Sequence, residues 1–250
     1  MEVLVQTDPV ELGKAAGKVA GDLVRKTIAE KGQVNIILAT GVSQFETLKQ
    51  LVSEKDIDWS KVVMFHLDEY IGLPETSPAS FRKYLKERFI NLVPRLKATY
   101  LINGEADPKV ECARLGNIIK DYPIDVALVG IGENGHLAFN DPPADFDTEE
   151  PFIIVTLEQQ CRQQQYNEGW FARVEDVPEK AISMSIKQIF KSRYIICSVP
   201  DSRKAEAVKN CLEKSVSNMH PASILQLHPN CIYFLDKTSA ALLSNELVRK

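Results

Sequence analysis

Apolar residues recur at Val10, Leu12, Ala15, Val19, Leu23, Val24 and Ile28, which is close to the stripe of an amphipathic helix over residues 10–29. Asp8-Pro9 supplies an N-cap and a first-turn proline, and Lys31-Gly32 supplies a terminal cation and a glycine stop. The pattern then switches to short continuous apolar runs. Residues 34–39 (VNIILA), 61–67 (KVVMFHL), 125–129 (DVALV), 152–157 (FIIVTL), 181–185 (AISMS), 193–199 (RYIICSV) and 231–235 each read as a buried strand. Between them, helical patterns cover residues 44–53, 77–92, 110–120, a turn through Phe190, the stretch after Ser202, residues 221–227 and residues 237–248. Residues 144–151 read as irregular. Strand alternating with helix from Val34 to Leu235 predicts an α/β fold: an open, mostly parallel, doubly wound (Rossmann-like) sheet flanked by helices. No linker-like run and no internal period divides the chain, so a single domain over residues 1–250 is expected.

Two polar features interrupt this pattern. Residues 158–171 (EQQCRQQQYNEGWF) are glutamine-rich, and suit either a movable cover over a site, extending to about residue 178, or an ordinary exposed helix. The helix over residues 77–92 carries Arg82, Lys83, Lys86 and Arg88, read as a solvated basic face. Composition adds little to this: 44% of residues are hydrophobic, 26% are charged and the net charge is −4. That balance argues against a general nucleic-acid binder, yet leaves room for an anionic small molecule held locally. The five cysteines are odd in number and show no metal-like spacing; Cys197 and Cys231 read as small core residues. No signal peptide or membrane span is expected, and a reducing cytoplasm is the simplest setting.

Candidate chemistry gathers where strands end. The run 125–129 leads into GIGENGHLAFNDPP (130–143), where Gly130, Gly132 and Gly135 let the backbone adopt positive φ and lie against a ligand. His136 stands among them, with Asp141 near enough in sequence to orient it for proton transfer; a turn whose histidine caps backbone groups is the simpler reading. Thr40-Gly41-Val42-Ser43 joins a strand to a helix with hydroxyls at its mouth, a geometry that receives a phosphate, or else merely caps the helix. The strand over residues 61–67 runs into Asp68-Glu69, where either carboxylate is a candidate base or a helix cap. If the three strands are parallel, all three features share one sheet edge. His66 reads as a core histidine. Arg203 and Lys204 in a first turn oppose the helix dipole unless an anion offsets them, making them candidate phosphate ligands.

Taken together, ATG (39–41), LDEYIGL (67–73), GIGENGHLAFNDP (130–142), RKAEAV (203–208) and LQLHP (225–229) resemble the glucosamine-6-phosphate deaminase (isomerase) family, in the group that also holds 6-phosphogluconolactonases. The resemblance spans nearly the whole chain, and the DEYxGL and NGHxAFN elements look like the deaminase branch. It implies conversion of an amino-sugar 6-phosphate and water to a ketose 6-phosphate and ammonia, with no metal or organic cofactor. His136 matches the residue that opens the sugar ring, Asp141 the carboxylate that orients it, and Asp68 the base that abstracts the C2 proton. Asn134 belongs to the same catalytic group. Thr40, Gly41, Val42, Ser43 and Lys204 match phosphate-holding positions, while Glu69, Gly135, Arg162 and Asn167 fall beside the substrate or on the lid.

This sequence departs from the family pattern at several points. Asn134 cannot take a proton, Asp141 stands where Glu is usual, and TGVSQ replaces TGGTP. The lid arginine that clamps the phosphate aligns with Asn167, and Arg162 matches a different lid arginine. An amide does not replace a bidentate clamp. The preferred epimer, glucosamine or galactosamine 6-phosphate, is therefore left open, as are a lactonase and a non-catalytic sugar-phosphate binder. The basic positions of the family's allosteric site align with apolar residues 153–155, so no activation by an N-acetyl-sugar phosphate is expected.

Overall fold

The computed structural model describes residues 2–248. Seven parallel strands form one sheet: β1 (Glu2–Gln6), β2 (Val34–Leu38), β3 (Val62–His66), β5 (Ala98–Tyr100), β6 (Val126–Val129), β9 (Tyr194–Val199) and β10 (Cys231–Asp236), in the order β1-β10-β9-β6-β2-β3-β5. Strands β4 (Asp68–Tyr70), β7 (Phe152–Thr156) and β8 (Lys180–Met184) form a second, antiparallel sheet in the order β4-β8-β7. The runs at 152–157 and 181–185 are thus strands, but outside the main sheet. β1, whose EVLVQ alternation was not read as a strand, pairs with β10 at the sheet edge.

Continuous apolar runs become central strands because both faces are covered. Val34, Ile36 and Leu38 pack with α1 (Pro9–Lys31), α2 (Phe45–Ser53) and α3 (Phe81–Arg88), while Ile37 points into the opposite core. That opposite core is built on α4 (Pro108–Ile119), α6 (Ile186–Phe190), α7 (Ala205–Glu213) and part of the second sheet. Helix α5 (Gln159–Asn167) lies outside both layers, over the aromatic group of Tyr70, Phe81 and Phe139. The caps fall as expected: Asp8 accepts from the N–H groups of Val10 and Glu11, and Gly32 ends α1 at φ 73°. Gly13, Gly17 and Gly21 form a stripe on α1 against Glu46 and Gln50 of α2 and Glu54 just after it, where any Cβ would overlap those residues.

Three expectations change. Residues 237–248 are mostly turns, with only α8 (Asn245–Val248) helical. The helix expected over 77–92 is confined to α3, capped by Ser80, with a 3-10 turn after it. Its basic face is not uniformly solvated: Arg88 lies 3.9 Å over the Phe45 ring, and Arg82 is buried. Arg82 faces the fully buried Glu69, and also donates to Leu73 O, Asn103 Oδ1 and Glu105 Oε2. Among the described residues, no helix is long and apolar enough to cross a membrane.

Removing one member of a buried ion pair strands the other charge. Arg82→Met is expected to lower unfolding free energy by about 3 kcal/mol in chemical denaturation.

Candidate active site

The order of the sheet reverses between β2 and β6: the chain builds outward from β2 to β3 and β5, then returns to the other side of β2. Such a reversal opens a crevice at the carboxyl ends of the strands. One cleft there is lined by Thr40, Gly41 and Ser43 after β2, Asp68 after β3, and Gly130, Gly132 and His136 after β6, with Gln165 from α5 above them. The three strand tips singled out in the sequence therefore converge on one space.

Asp68 is set by its pairing with Ser183 in the second sheet. Its side chain faces the cleft, and burial, with the charge of Glu69 second, pushes its carboxyl up to about 8. No hydrogen bond from the described residues offsets that burial. Neighbouring residues in a strand point to opposite sides, so Glu69 turns away. It accepts from the N–H groups of Phe81 and Arg82 and from Ser80 Oγ, tying down the start of α3. The placement of Glu69 beside the substrate is thus corrected: it is a buried helix-capping carboxylate. His66 is the core histidine expected, fully buried and pushed down to about 3 by burial.

The loop after β6 folds back so that the His136 ring lies on the Gly132 backbone, where any Cβ would overlap it. Of its three glycines only Gly135 has positive φ, at 84°. Gly130 and Gly132 serve close approach instead. Gly135 packs against Cys211 and accepts from Ala222 N, behind the cleft rather than in it. His136 Nδ1 lies 3.1 Å from Asp141 Oδ1, too oblique for a hydrogen bond but close enough for the carboxylate to face the ring. Asn134 braces this pair: its Oδ1 accepts from His136 N, and its Nδ2 donates to Asp141 Oδ1 at 2.9 Å and to Glu158 Oε2 at 3.0 Å. Burial raises the Asp141 carboxyl, but His136, Asn134 and Glu158 N outweigh it and hold the group below the usual carboxylate range. Ala138, also lining the cleft, is held at φ 54°, the kind of strain that collects at functional sites.

Cys161 brings a third potential ligand atom within 4.8 Å of those of His136 and Asp141. Burial pushes its thiol well above the usual range, with the Asp141 charge adding to it.

At the other end of the cleft, Gly41 takes φ 90° and Tyr84 donates to its carbonyl at 2.9 Å. Residues Val42–Gln44 form a 3-10 turn into α2, whose first N–H groups have no partner within the helix. The buried Gln44 amide reaches Val129 O, Ser198 O and Ser43 Oγ, holding the turn to β6 and β9. Lys204, in the turn after β9, is buried with its ammonium 3.8 Å from Glu168 and 4.0 Å from Glu133. Burial lowers its pKa, opposed by those two carboxylates. Arg203 pairs with Asp201 at 2.7 Å and lies 3.6 Å from Glu133. Val42 and Ser43 join Asn167, Glu168, Arg203 and Lys204 around a second pocket, which shares Ser43 with the cleft.

Helix α5 presents Cys161, Gln164 and Gln165 inward, and the Glu168 side chain just beyond it is also buried. Arg162 points elsewhere and donates to the carbonyls of Val174 and Val177, which holds the far end of the segment rather than a ligand. Asn167 is exposed at the second pocket and accepts from Gln163. Glu168, Gln164 and Gln165 were missed by sequence reasoning. A helical wheel over residues 159–168 would have put all three on the face of Cys161.

Comparison with known proteins agrees with this architecture. The family model described as glucosamine-6-phosphate isomerases/6-phosphogluconolactonase matches residues 7–233. The chain belongs to that family. It is 38% identical to a glucosamine-6-phosphate deaminase of Streptococcus sanguinis, covering 94% of this chain and 98% of the relative. It is 37% identical to one of Pediococcus pentosaceus, covering 98% and 100%. A solved monomeric glucosamine-6-phosphate deaminase superposes with a TM-score of 0.89 at 32% identity, over 97% of this chain and 100% of that one. A 6-phosphogluconolactonase of Shewanella baltica, at 16% identity and TM-score 0.79, shares the fold.

Burial holds the Asp68 proton more tightly folded than unfolded, so the contribution of Asp68 to stability falls as pH rises from about 4 through about 8. Asp68→Asn removes that titration. It is expected to raise Tm over wild type by about 3 °C or more at pH 8, and by much less at pH 4, in a calorimetric pH series.

Proposed function

We propose that this protein is an amino-sugar-6-phosphate deaminase/isomerase, acting on glucosamine 6-phosphate or its C4 epimer. The observation that carries the proposal is the common cleft of Asp68, His136 and the Thr40 turn. Full-length relatives at 36–38% identity carry the name glucosamine-6-phosphate deaminase, which supports the same reading. The sugar 6-phosphate is taken to lie against Thr40, Gly41, Val42, Ser43 and Lys204, with its reducing end toward Asp68 and His136. His136, with Asp141 beside its ring and Asn134 holding both, passes a proton to the ring oxygen as the anomeric hydroxyl loses one. Asp68 then takes the C2 proton of the open aldose as a proton passes from the C2 ammonium to O1, giving an enol-type intermediate, and returns its own proton to C1. This leaves C2 as an iminium, which water hydrolyses to the ketone as ammonia departs.

The two carboxylates suit these separate duties. Asp68, pushed up to about 8, is basic enough to accept a carbon-bound proton and acidic enough to return it; Asp141, held low, stays ionised beside His136. Residues 158–178 are read as a lid on a single domain, seated on the aromatic group through Cys161, Phe171 and Val177. Glucosamine 6-phosphate is the first substrate to test, given the relatives' names. The reading places the protein in the reducing cytoplasm, where its five free thiols stay reduced.

Ammonia release should appear with one or both hexosamine 6-phosphates. It should fall by roughly 10²–10⁴ in Asp68→Asn, and by about 10² or more in His136→Gln. Acid release from a sugar-phosphate lactone without ammonia from any amino sugar would instead favour the lactonase. Because Asp68 must be ionised to act, kcat/KM is expected to rise with pH through about 8. A profile flat from pH 6 to 9 would remove Asp68 from the base role.

A further inference from the structure

The pocket assigned to the phosphate already contains an anion of the protein's own. Glu168, just beyond α5, turns its side chain inward until only 4% of it is exposed. Its Oε1 accepts from Gln164 Nε2 at 2.8 Å and lies 3.8 Å from the Lys204 ammonium. Its Oε2 accepts from Trp170 Nε1 at 3.3 Å, and lies 3.9 Å from where a Cβ on Gly41 would sit. The carboxylate is therefore wedged between the one buried lysine of the pocket and the backbone turn that opens α2. Glu133, with an Oε1 that is buried and accepts no hydrogen bond, faces the same ammonium from the other side. Arg203 is tied to Asp201 and also lies 3.6 Å from Glu133, so Lys204 meets Glu168, and a Glu133 that it shares with Arg203, before any substrate anion reaches it. A phosphate dianion cannot join this group at low cost while Glu168 stays in place.

We infer that Glu168 is a lid-borne stand-in for the substrate's phosphate: it occupies the anion pocket, holds the lid down through Lys204, and must leave when a phosphate enters. This rests on the deaminase reading for the identity of the pocket and extends it to what sets the pocket's affinity. Glu168 is not a catalytic residue. It sets the energetic threshold an incoming anion must pass, so it acts on KM and on phosphate affinity rather than on the chemical step. Trp170 is coupled to the same exchange, because its indole donates to Glu168 while its ring packs edge-on against Phe45 and Tyr84.

The test uses the full chain with Glu168→Gln, and with Glu133→Gln as the comparison carboxylate. Inorganic phosphate is titrated by calorimetry, and Trp170 emission is followed in a Trp59→Phe background, which leaves one tryptophan of two. Glu168→Gln is expected to tighten phosphate binding and lower KM for glucosamine 6-phosphate by about tenfold, with kcat within about threefold. In the Glu168 protein, phosphate should shift Trp170 emission as the indole loses its acceptor. The inference is overturned if Glu168→Gln leaves phosphate affinity and KM unchanged or weaker. It is also overturned if only Glu133→Gln tightens binding, or if neither parent nor variant binds millimolar phosphate. Tighter phosphate binding in Glu168→Gln without ammonia from any hexosamine phosphate would sink the deaminase reading and leave this one standing. Ammonia release with an unmoved KM would do the reverse.

Discussion

Everything at this site depends on the reversal of strand order between β2 and β6. Parallel neighbours whose connections leave on opposite faces cannot close over their own carboxyl ends, so a crevice remains there with backbone on three sides. The chain lines it with tight turns rather than long side chains. Gly41 at positive φ brings a helix start into the cleft, and Gly132 lets an imidazole lie flat on the backbone. The second sheet then hangs Asp68 over the opening. Fold and site are one object here, because the topology that buries the strands also leaves their ends unpaired.

Within the crevice, environment rather than residue type separates the carboxylates. Asp68 and Asp141 carry the same group, yet one is raised by burial without a hydrogen bond and the other is lowered by three polar neighbours. Glu69, adjacent to Asp68 in sequence, is spent on fastening α3. Asn134, which cannot transfer a proton, still spans Asp141, Glu158 and the His136 backbone. Its side chain supplies geometry where an acid at that position would also supply charge.

Much of this was legible in the sequence. Buried strands and caps followed from apolar runs and from Asp8, Pro9 and Gly32, and the convergence of Thr40, Asp68 and His136 followed from parallel strands alone. What escaped has physical causes. Membership of one sheet or another is a tertiary property, so the runs at 152–157 and 181–185 looked like any other strand. Which way Glu69 and Arg162 point depends on partners distant in sequence: Ser80 and Arg82 for the first, Val174 and Val177 for the second. Glu168 escaped because an acid in a polar segment reads as solvated, and only its place on the Cys161 face of the wheel marks it as inward.

The glycine stripe of α1 has a consequence for how such a pocket diversifies. With no side chains between them, α1 and α2 are locked at backbone distance, and the Tyr84 hydroxyl fastens the Gly41 carbonyl from the other flank. The floor of the pocket is therefore stiff, and a change there disturbs the main core. Its roof is a polar helix joined to the rest through a few amides, Cys161, and the rings of Trp170 and Phe171. Heritable variation in what the pocket accepts has room to accumulate in the roof, where an exchange such as arginine for glutamate reverses polarity without unsettling the scaffold beneath.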